Sequence, residues 1–318
     1  DRLRFRLGPV RLVRIGITYL QASLFPRQPE KNLEDFFYNR FGGELYRTFF
    51  KDYTEKVWGM PCTEISADWA AQRIKGVSLV SAVVNALLPS KPEGPDAIKS
   101  LISTFRYPRQ GPGMLWDACA ERMQAMGGSL RLGRRVTGLS RDTDSGKWLV
   151  RHVGPDGVEE QLEADHVVSS APLREVAYAV KPPLPPTALQ AADRLGYRDF
   201  LTVAVILRDR GTFHDNWIYV HDPGVKLGRI QNFKNWSPDM VPGDEYTSLV
   251  VEYFCSFGDQ IWSMSDEELV EQTIGHLIED LGFISRDEVL GGFAIRAPRA
   301  YPAYVIGCEK PLETIKAF

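Results

Sequence analysis

Tyr53 and Trp58 stand five residues apart in KDYTEKVWG, Lys51 to Gly59. At that spacing two rings do not share one stripe of an ideal helix. A helix ending near Val57 lets both face one cavity, where aromatic rings bind flat heterocycles by stacking. The competing reading makes both rings core packing of a helical lobe. Asp52, Glu55 and Lys56 offer acid and base groups in the same segment, although a solvated helix face accounts for them more simply.

A second segment, Tyr107-Pro108-Arg109-Gln110-Gly111-Pro112-Gly113, sets glycines just before a helix start. Such backbone can approach an anion, and the helix end favours negative charge; a plain turn is the other reading. A third candidate pairs Arg134-Arg135-Val136 with Ser169-Ser170-Ala171-Pro172. Small residues at the C-terminal end of a strand mark ligand sites in open α/β sheets, and a tight exit from a sheet looks the same in sequence. The histidines at 152, 166, 214, 221 and 276 offer no metal-ligand spacing. No GxSxG, HExxH or paired Walker pattern occurs.

The elements that must position these residues follow from apolar periodicity. Residues 9–25 read as a helix that stops before Pro26, and Asn32 can cap a second helix with Leu33, Phe36, Phe37 and Phe41 on one side. A third helix carries Leu45 to about Trp58, a fourth covers Thr63 to Arg73 with Trp69, and residues 77–88 are apolar and helical. Leu115, Cys119, Met123 and Met126 share one helix face that Gly127-Gly128 ends. A strand is expected from Leu130 through Val136, then a three-stranded meander whose last strand is His166 to Ser170. FLTVAVIL, Phe200 to Leu207, reads as a strand buried on both faces. Further strands are expected at Trp217–His221, Arg229–Phe233, Thr247–Cys255 and Val289–Ile295. Ser265 and Glu268 form a capping box for a helix running to Gly282. The pattern is α+β.

The totals narrow the class. Net charge is −3 over 318 residues, leaving no basic surplus for neutralising phosphates, so nucleic acid is not the expected partner. No apolar run has the ~18–20 residues of a membrane span. Cys62, Cys119, Cys255 and Cys308 are far apart and fit no CxxC pattern, which favours a reduced, cytoplasmic protein over a disulfide scaffold or zinc site. At the N-terminus Arg2, Arg4, Arg6, Arg11 and Arg14 interleave with apolar residues. A helix with arginines on its wet face is preferred there over a membrane-surface helix.

Several stretches resemble the flavin-dependent amine oxidase and protoporphyrinogen oxidase-like oxidoreductases, which include UDP-galactopyranose mutase. NLEDFFYNRFGGELYRTFFKDYTEKVWG is similar to the helical substrate lobe of that family, and YTEKVWG is its most specific part. RYPRQGPGMLWDACAERM followed by GGSLRLGRRVTGL resembles the glycine turn, helix and cofactor-side strand, and ADHVVSSAPL the end of the meander. NWIYVHDP, NWSPDM, EYFCSFGDQIWSMSDEEL and RAYPAY resemble a bacterial branch of FAD-dependent oxidoreductases.

The resemblance implies part of a two-domain FAD-linked reductase fold. Residues 1–103 would form the helical part of a substrate domain, 104–180 a cofactor-facing helix and meander, 181–300 the antiparallel substrate-domain sheet, and 301–318 the start of a return to the cofactor domain. Val136 would touch the adenine end of FAD, with Ser170, Ala171 and Pro172 near the dinucleotide. Tyr53 and Trp58 match rings that line the uridine site of the mutases, and Arg73 an arginine near their substrate. Tyr107 and Arg109 fall where the family faces flavin and substrate. No GxGxxG occurs in the chain, so the expectation is an internal fragment without the pyrophosphate-binding unit and the closing flavin-covering segment. The expected activity of the parent is hydride transfer from a small organic substrate to FAD. The alternatives are a flavin-dependent nucleotide-sugar mutase, taking a nucleotide sugar, and a non-catalytic binding fragment.

Overall fold

The computed structural model describes residues 8–68 and 105–318. The helices expected over 69–73 and 77–88, with Trp69 and Arg73, lie outside the described residues. The chain divides into two compact units, Asp1–Gly111 with Arg198–Ile306 and Pro112–Tyr197 with Gly307–Phe318.

The first unit begins with α1 (Pro9–Leu24) and α2 (Leu33–Phe41). The Asn32 side chain accepts from the Asp35 N–H at 2.9 Å, satisfying one of the helix's free donors. On α2, Leu33, Phe36, Phe37 and Phe41 are buried together with Tyr46, Trp58, Cys62 and Ile65. Phe50 stacks on Phe37 at 4.7 Å and on Phe41 at 4.8 Å. The expected third helix is divided into α3 (Gly43–Leu45), a π-helical stretch Tyr46–Lys51, and α4 (Asp52–Trp58). The wider π turn re-phases the helix faces, which a 3.6-residue periodicity does not register. Thr63–Ser66 is not helical: Thr63 and Glu64 lie in a turn closed by the Glu64 N–H on the Pro61 carbonyl at 2.9 Å, then Ile65 bridges Val305 and the Ser66 N–H donates to the Tyr304 carbonyl at 2.9 Å. On α1 Arg11 pairs with Glu44 at 3.2 Å, but Val10, Val13, Ile17, Leu20 and Leu24 are exposed, so apolar groups as well as arginines face water.

The same unit holds a five-stranded sheet, ordered β6-β7-β8-β5-β9. Its strands are β5 (Tyr197–Arg208), β6 (Trp217–Tyr219), β7 (Arg229–Asn232), β8 (Tyr246–Cys255) and β9 (Val289–Pro302). β5 runs antiparallel to β8, pairing Leu201 with Tyr253, Val203 with Val251 and Val205 with Leu249. These side chains share one face, buried with Leu269, Ile274 and Leu277 of the helical segment after Ser265. Fully burying each such residue contributes about 1.5–3 kcal/mol. The Ser265–Glu268 capping box is formed in both directions, at 3.2 and 2.9 Å. The other face corrects the expectation for FLTVAVIL. Ala204 is buried on that side, but Ile206 is exposed and Phe200 and Thr202 are half-buried, so the face is only partly covered.

The second unit contains α5 (Gly113–Ala125) and a sheet ordered β3-β2-β1-β4. β1 (Arg135–Arg141), β2 (Trp148–Val153) and β3 (Glu159–Ala164) form an antiparallel meander, and the short β4 (Val180–Lys181) runs parallel to β1. β1 starts at Arg135, not Leu130, since Leu130 and Leu132 precede the first ladder pair, Arg135 with Val153. His166–Ser170 is not a strand: it has no ladder partner among the described residues, and Val168 is 99% exposed. An apolar run reads alike whether or not a neighbour pairs with it. Helix α6 (Leu173–Ala179), α7 (Pro186–Asp193) and α8 (Glu309–Lys316) pack around Ala177, Ala191, Ala192 and Ile315. Among the described residues no helix is long and apolar enough to cross a membrane, and no cluster of three His, Cys, Asp or Glu side chains suits a metal.

Candidate functional site

A cavity of about 310 Å³ opens in the first unit, lined by Tyr53, Thr54, Val57, Trp58, Arg198, Tyr219, Arg229, Phe254 and Tyr301. Its size lies in the range of small-ligand pockets. One wall is α4, which ends at Gly59 in the left-handed region, φ 66°, with its N–H donating to the Glu55 carbonyl at 2.7 Å. Glycine is required there twice over. A Cβ at residue 59 would lie 2.6 Å from the Arg198 guanidinium as well as strain the turn. The opposite wall is the open face of the sheet, where Tyr219 on β6 pairs with Arg229 on β7, and Phe254 stands on β8 two residues beyond Glu252, the ladder partner of Arg229.

Tyr53 meets Tyr219 edge-on at 5.0 Å and Phe254 at 6.3 Å, with His221 tilted against it at 5.4 Å. None of these is a parallel stack, so the rings brace one another at right angles or on a tilt. Burial pushes the Tyr53 phenol above its ordinary value, so it stays protonated and acts as a hydrogen-bonding group, not a base. Trp58 is 3% exposed and packs edge-on against Tyr304 at 6.2 Å, placing most of its ring in the helical core and a margin at the cavity.

Two guanidinium groups complete the lining. Burial lowers the Arg198 pKa; its Nε donates to the Val57 carbonyl at 3.2 Å and its Nη1 to Ser256 Oγ at 2.5 Å. Burial also works against Arg229, but the bonds to Glu252, both 2.7 Å, outweigh it and raise the Arg229 pKa. Glu252 is buried and accepts additionally from Gln231 Nε2, so this carboxylate is occupied in holding Arg229. Among the described residues the lining contains no carboxylate, imidazole or thiol. The cavity can therefore clasp and orient a flat or anionic group, and it offers no conventional general base.

Among the described residues, Tyr53 and Trp58 are the sequence candidates that meet in this cavity. Tyr107 and Arg109 lie elsewhere in the same unit: Tyr107 packs on Trp236 at 4.9 Å, and Arg109 pairs with Asp239 at 2.5 Å on the surface. Val136, Ser170, Ala171 and Pro172 belong to the second unit. In the polar part of KDYTEKVWG only Asp52 lies on a solvated face; Glu55 and Lys56 are half-buried and bonded. Glu55 accepts from the Cys62 N–H at 3.1 Å and pairs with Lys51 at 2.9 Å, and the half-buried Lys56 is held by backbone carbonyls of residues 220–227. Sequence reasoning gave no role to Arg198, Tyr219, Arg229, Phe254 or Tyr301. The usable signal was alternation, since Trp217 and Tyr219 on one side of Ile218 mark an aromatic strand face.

The model of the family described as flavin containing amine oxidoreductase matches residues 10–292. The chain belongs to that family. Reduced UDP-galactopyranose mutase superposes on this chain with a TM-score of 0.75 at 20% identity, over 98% of this chain and 64% of the mutase. A putative protoporphyrinogen oxidase from Exiguobacterium sp. 255-15 gives 0.68 at 16% identity, covering 98% of this chain and 64% of its own. An oxidoreductase from Methanosarcina mazei gives 0.58 at 13%, covering 93% and 64%. The α+β fold is thus that of two-domain flavin-dependent enzymes, and the chain spans about two thirds of the length of these three structures, 64% of each.

A flavin is the cofactor the family implies, and the second unit fits part of one. Val136 lies beside a bulge in β1 with its side chain 51% exposed, and Ser170 and Ala171 are exposed, with Ser169 Oγ accepting from the Ala171 N–H at 3.2 Å. Accessible backbone and an apolar side chain suit the edge of a nucleotide. The glycine turn that would cradle a pyrophosphate is not in the sequence.

Proposed function

We propose that the whole protein is an FAD-dependent oxidoreductase and that the cavity beside Tyr53 holds its small organic substrate. The observation that carries this reading is the chemistry of the lining. Phenols, an indole edge and two guanidinium groups bind and orient, while no side chain there offers a conventional base. Such a site suits an enzyme whose cofactor performs the reaction, and FAD when bound supplies hydride acceptance at its ring. Tyr53 and Tyr219 would grip a flat group, Arg198 a polar or anionic one, and Glu252 would keep Arg229 charged and in place. Trp58, Tyr107, Arg109 and Arg73 are proposed substrate-side residues, and Val136 with Ser170, Ala171 and Pro172 proposed cofactor-side residues. A cytoplasmic location accompanies this proposal, since no disulfide joins Cys62, Cys119, Cys255 and Cys308.

A specific observation favours a second reading, a flavin-dependent nucleotide-sugar mutase. Rings and arginines in one cavity are what a nucleoside diphosphate requires, and a solved mutase shares the fold. One experiment separates the two. The full-length protein is purified and its flavin absorbance is followed anaerobically with amine and porphyrinogen substrates, and with UDP-galactopyranose after dithionite reduction. Bleaching by an organic substrate is expected. Interconversion of the UDP-sugar without bleaching by any organic substrate would establish the mutase and retire the oxidoreductase. A full-length protein that binds UDP but no flavin would leave only a binding function.

A further inference from the structure

Lys56 lies on α4 between the cavity residues Tyr53 and Trp58, on the side that meets the β6–β7 connection. Its Nζ donates to the carbonyls of Val220, Asp222 and Val225, each at 2.8 Å, and of Leu227 at 3.0 Å. An ammonium has three protons, so four oxygens at hydrogen-bond range surround the charge as a shell and are not matched one to one. No carboxylate forms an ion pair with Lys56 among the described residues, and the Asp222 side chain is turned to the Gly224 N–H at 2.8 Å. Rings of backbone carbonyls are how proteins replace the hydration shell of a monovalent cation.

The position of the shell ties it to the cavity. Tyr219 directly precedes Val220, and Arg229 follows Leu227 by two residues, so both ends of the caged segment carry lining side chains. His221, inside the segment, rests on the Tyr53 ring. One charge therefore joins the α4 wall to the β6–β7 wall.

We propose that residues 220–227 form a carbonyl cage for a monovalent cation, that Lys56 supplies this cation as a tethered ammonium, and that it thereby positions Tyr219 and Arg229 against α4. Burial lowers the Lys56 pKa while Asp222 and Asp52 oppose the shift, the direction expected for a charge taken out of water. The inference goes beyond the proposed activity, since it holds whatever ligand the cavity takes.

The test compares Lys56→Ala, which empties the cage, with Lys56→Met, which fills the channel without a charge. Amide hydrogen exchange is read across residues 219–229. Both variants are expected to exchange at least about ten-fold faster than the unaltered protein in this segment. Ammonium or potassium chloride at ~0.1 M should return Lys56→Ala to near the original rate and leave Lys56→Met fast, while tetramethylammonium chloride at equal ionic strength restores neither. Unchanged exchange in both variants overturns the proposal. Restoration by tetramethylammonium, or fast exchange that neither ammonium nor potassium reverses, overturns the cation site and reduces Lys56 to packing. If neither variant folds, acetylation of the unaltered protein decides: Lys56 should react at least about ten-fold more slowly than the exposed Lys226, and equal rates would exclude a closed cage. None of these readouts uses substrate or flavin, so their failure is separate from failure of the proposed activity.

Discussion

The two compact units place the same kinds of residue in opposite surroundings. In the first, Leu201, Val203, Leu249, Leu269 and Leu277 have no exposed surface, and a second core gathers Leu33, Phe36 and Phe37. In the second, α5 buries none of its residues, and Met126 and Leu132 are each 80% exposed. Its buried apolar cluster consists of Ala177, Ala191, Ala192 and Ile315, with only leucines packed around them. The difference is one of cover. A helical or alternating apolar pattern says which side of an element is greasy, and nothing in that pattern says whether another element lies on it.

The largest expected effect tests this contrast directly. Leu201→Ala removes a fully buried side chain from the first unit and should cost about 2–5 kcal/mol. Leu132→Ala, the same chemical change in the second unit, should stay within about 0.5 kcal/mol because water already surrounds the side chain. Denaturant unfolding of both variants, with exchange-detected opening to assign the unit affected, supplies the comparison. A loss at Leu132 as large as at Leu201 would mean that its exposed position is not the one the folded protein uses.

Glycines make a finer comparison. Gly59 and Gly127 each follow a helix with positive φ, 66° and 88°. Around Gly127 a Cβ would meet nothing within 4 Å, whereas at Gly59 it would press on the Arg198 guanidinium at 2.6 Å. Both Gly→Ala changes carry the left-handed backbone cost, of order 1–3 kcal/mol. Gly59→Ala should lie toward the upper end, and it alone should disturb the cavity by displacing Arg198. Thermal midpoints give the first difference, and acrylamide quenching of tryptophan fluorescence, with Trp58 adjoining, gives the second. Equal costs would show that Arg198 yields freely, so that Gly59 serves the turn alone.

What was legible in the sequence divides along similar lines. Asn32 as a cap and Ser265 with Glu268 as a capping box were readable because each bond closes within three residues. The edges of β2 and β8 were readable because turn residues flank alternating apolar ones. Of the cavity, only the α4 wall was visible. Tyr219, Arg229 and Phe254 come from strands more than 150 residues downstream, and no local pattern reports that a tyrosine on β6 stands 5.0 Å from Tyr53. Lys56 escaped a local reading for the same reason: its partners lie 164 to 171 residues away, and a lysine near Asp52 and Glu55 looks like part of a wet helix face. His166–Ser170 failed in the other direction, since its apolar residues suggested a ladder that no neighbour completes among the described residues.

The smallest expected effect concerns pH, and it locates acid sensitivity in the first unit. Burial lowers the pKa of His221; the nearby Lys56 ammonium lowers it further, and Asp52 partly opposes them. The folded value therefore lies below the unfolded one, about 6.5. As pH falls through 6.5 the unfolded chain takes up the proton first, so it binds more protons than the folded chain and stability drops. The drop continues until pH passes the folded value, below which both states are protonated and the contribution levels off. Above 6.5 both states are neutral and the full stability is present. Replacing His221 by Gln removes the titrating group from this window. The variant should therefore lose less stability than the unaltered protein between about pH 6.5 and 5, and the two should run parallel above pH 7. Amide exchange across 219–229, measured for both proteins at each pH, reports the effect where it arises, because the imidazole sits within the segment that Lys56 holds. Parallel behaviour across the whole range would mean that His221 titrates alike in both states and that the Lys56 charge does not reach it. A difference confined to amides of β1–β3 would move the acid-sensitive element to the second unit and reverse the comparison.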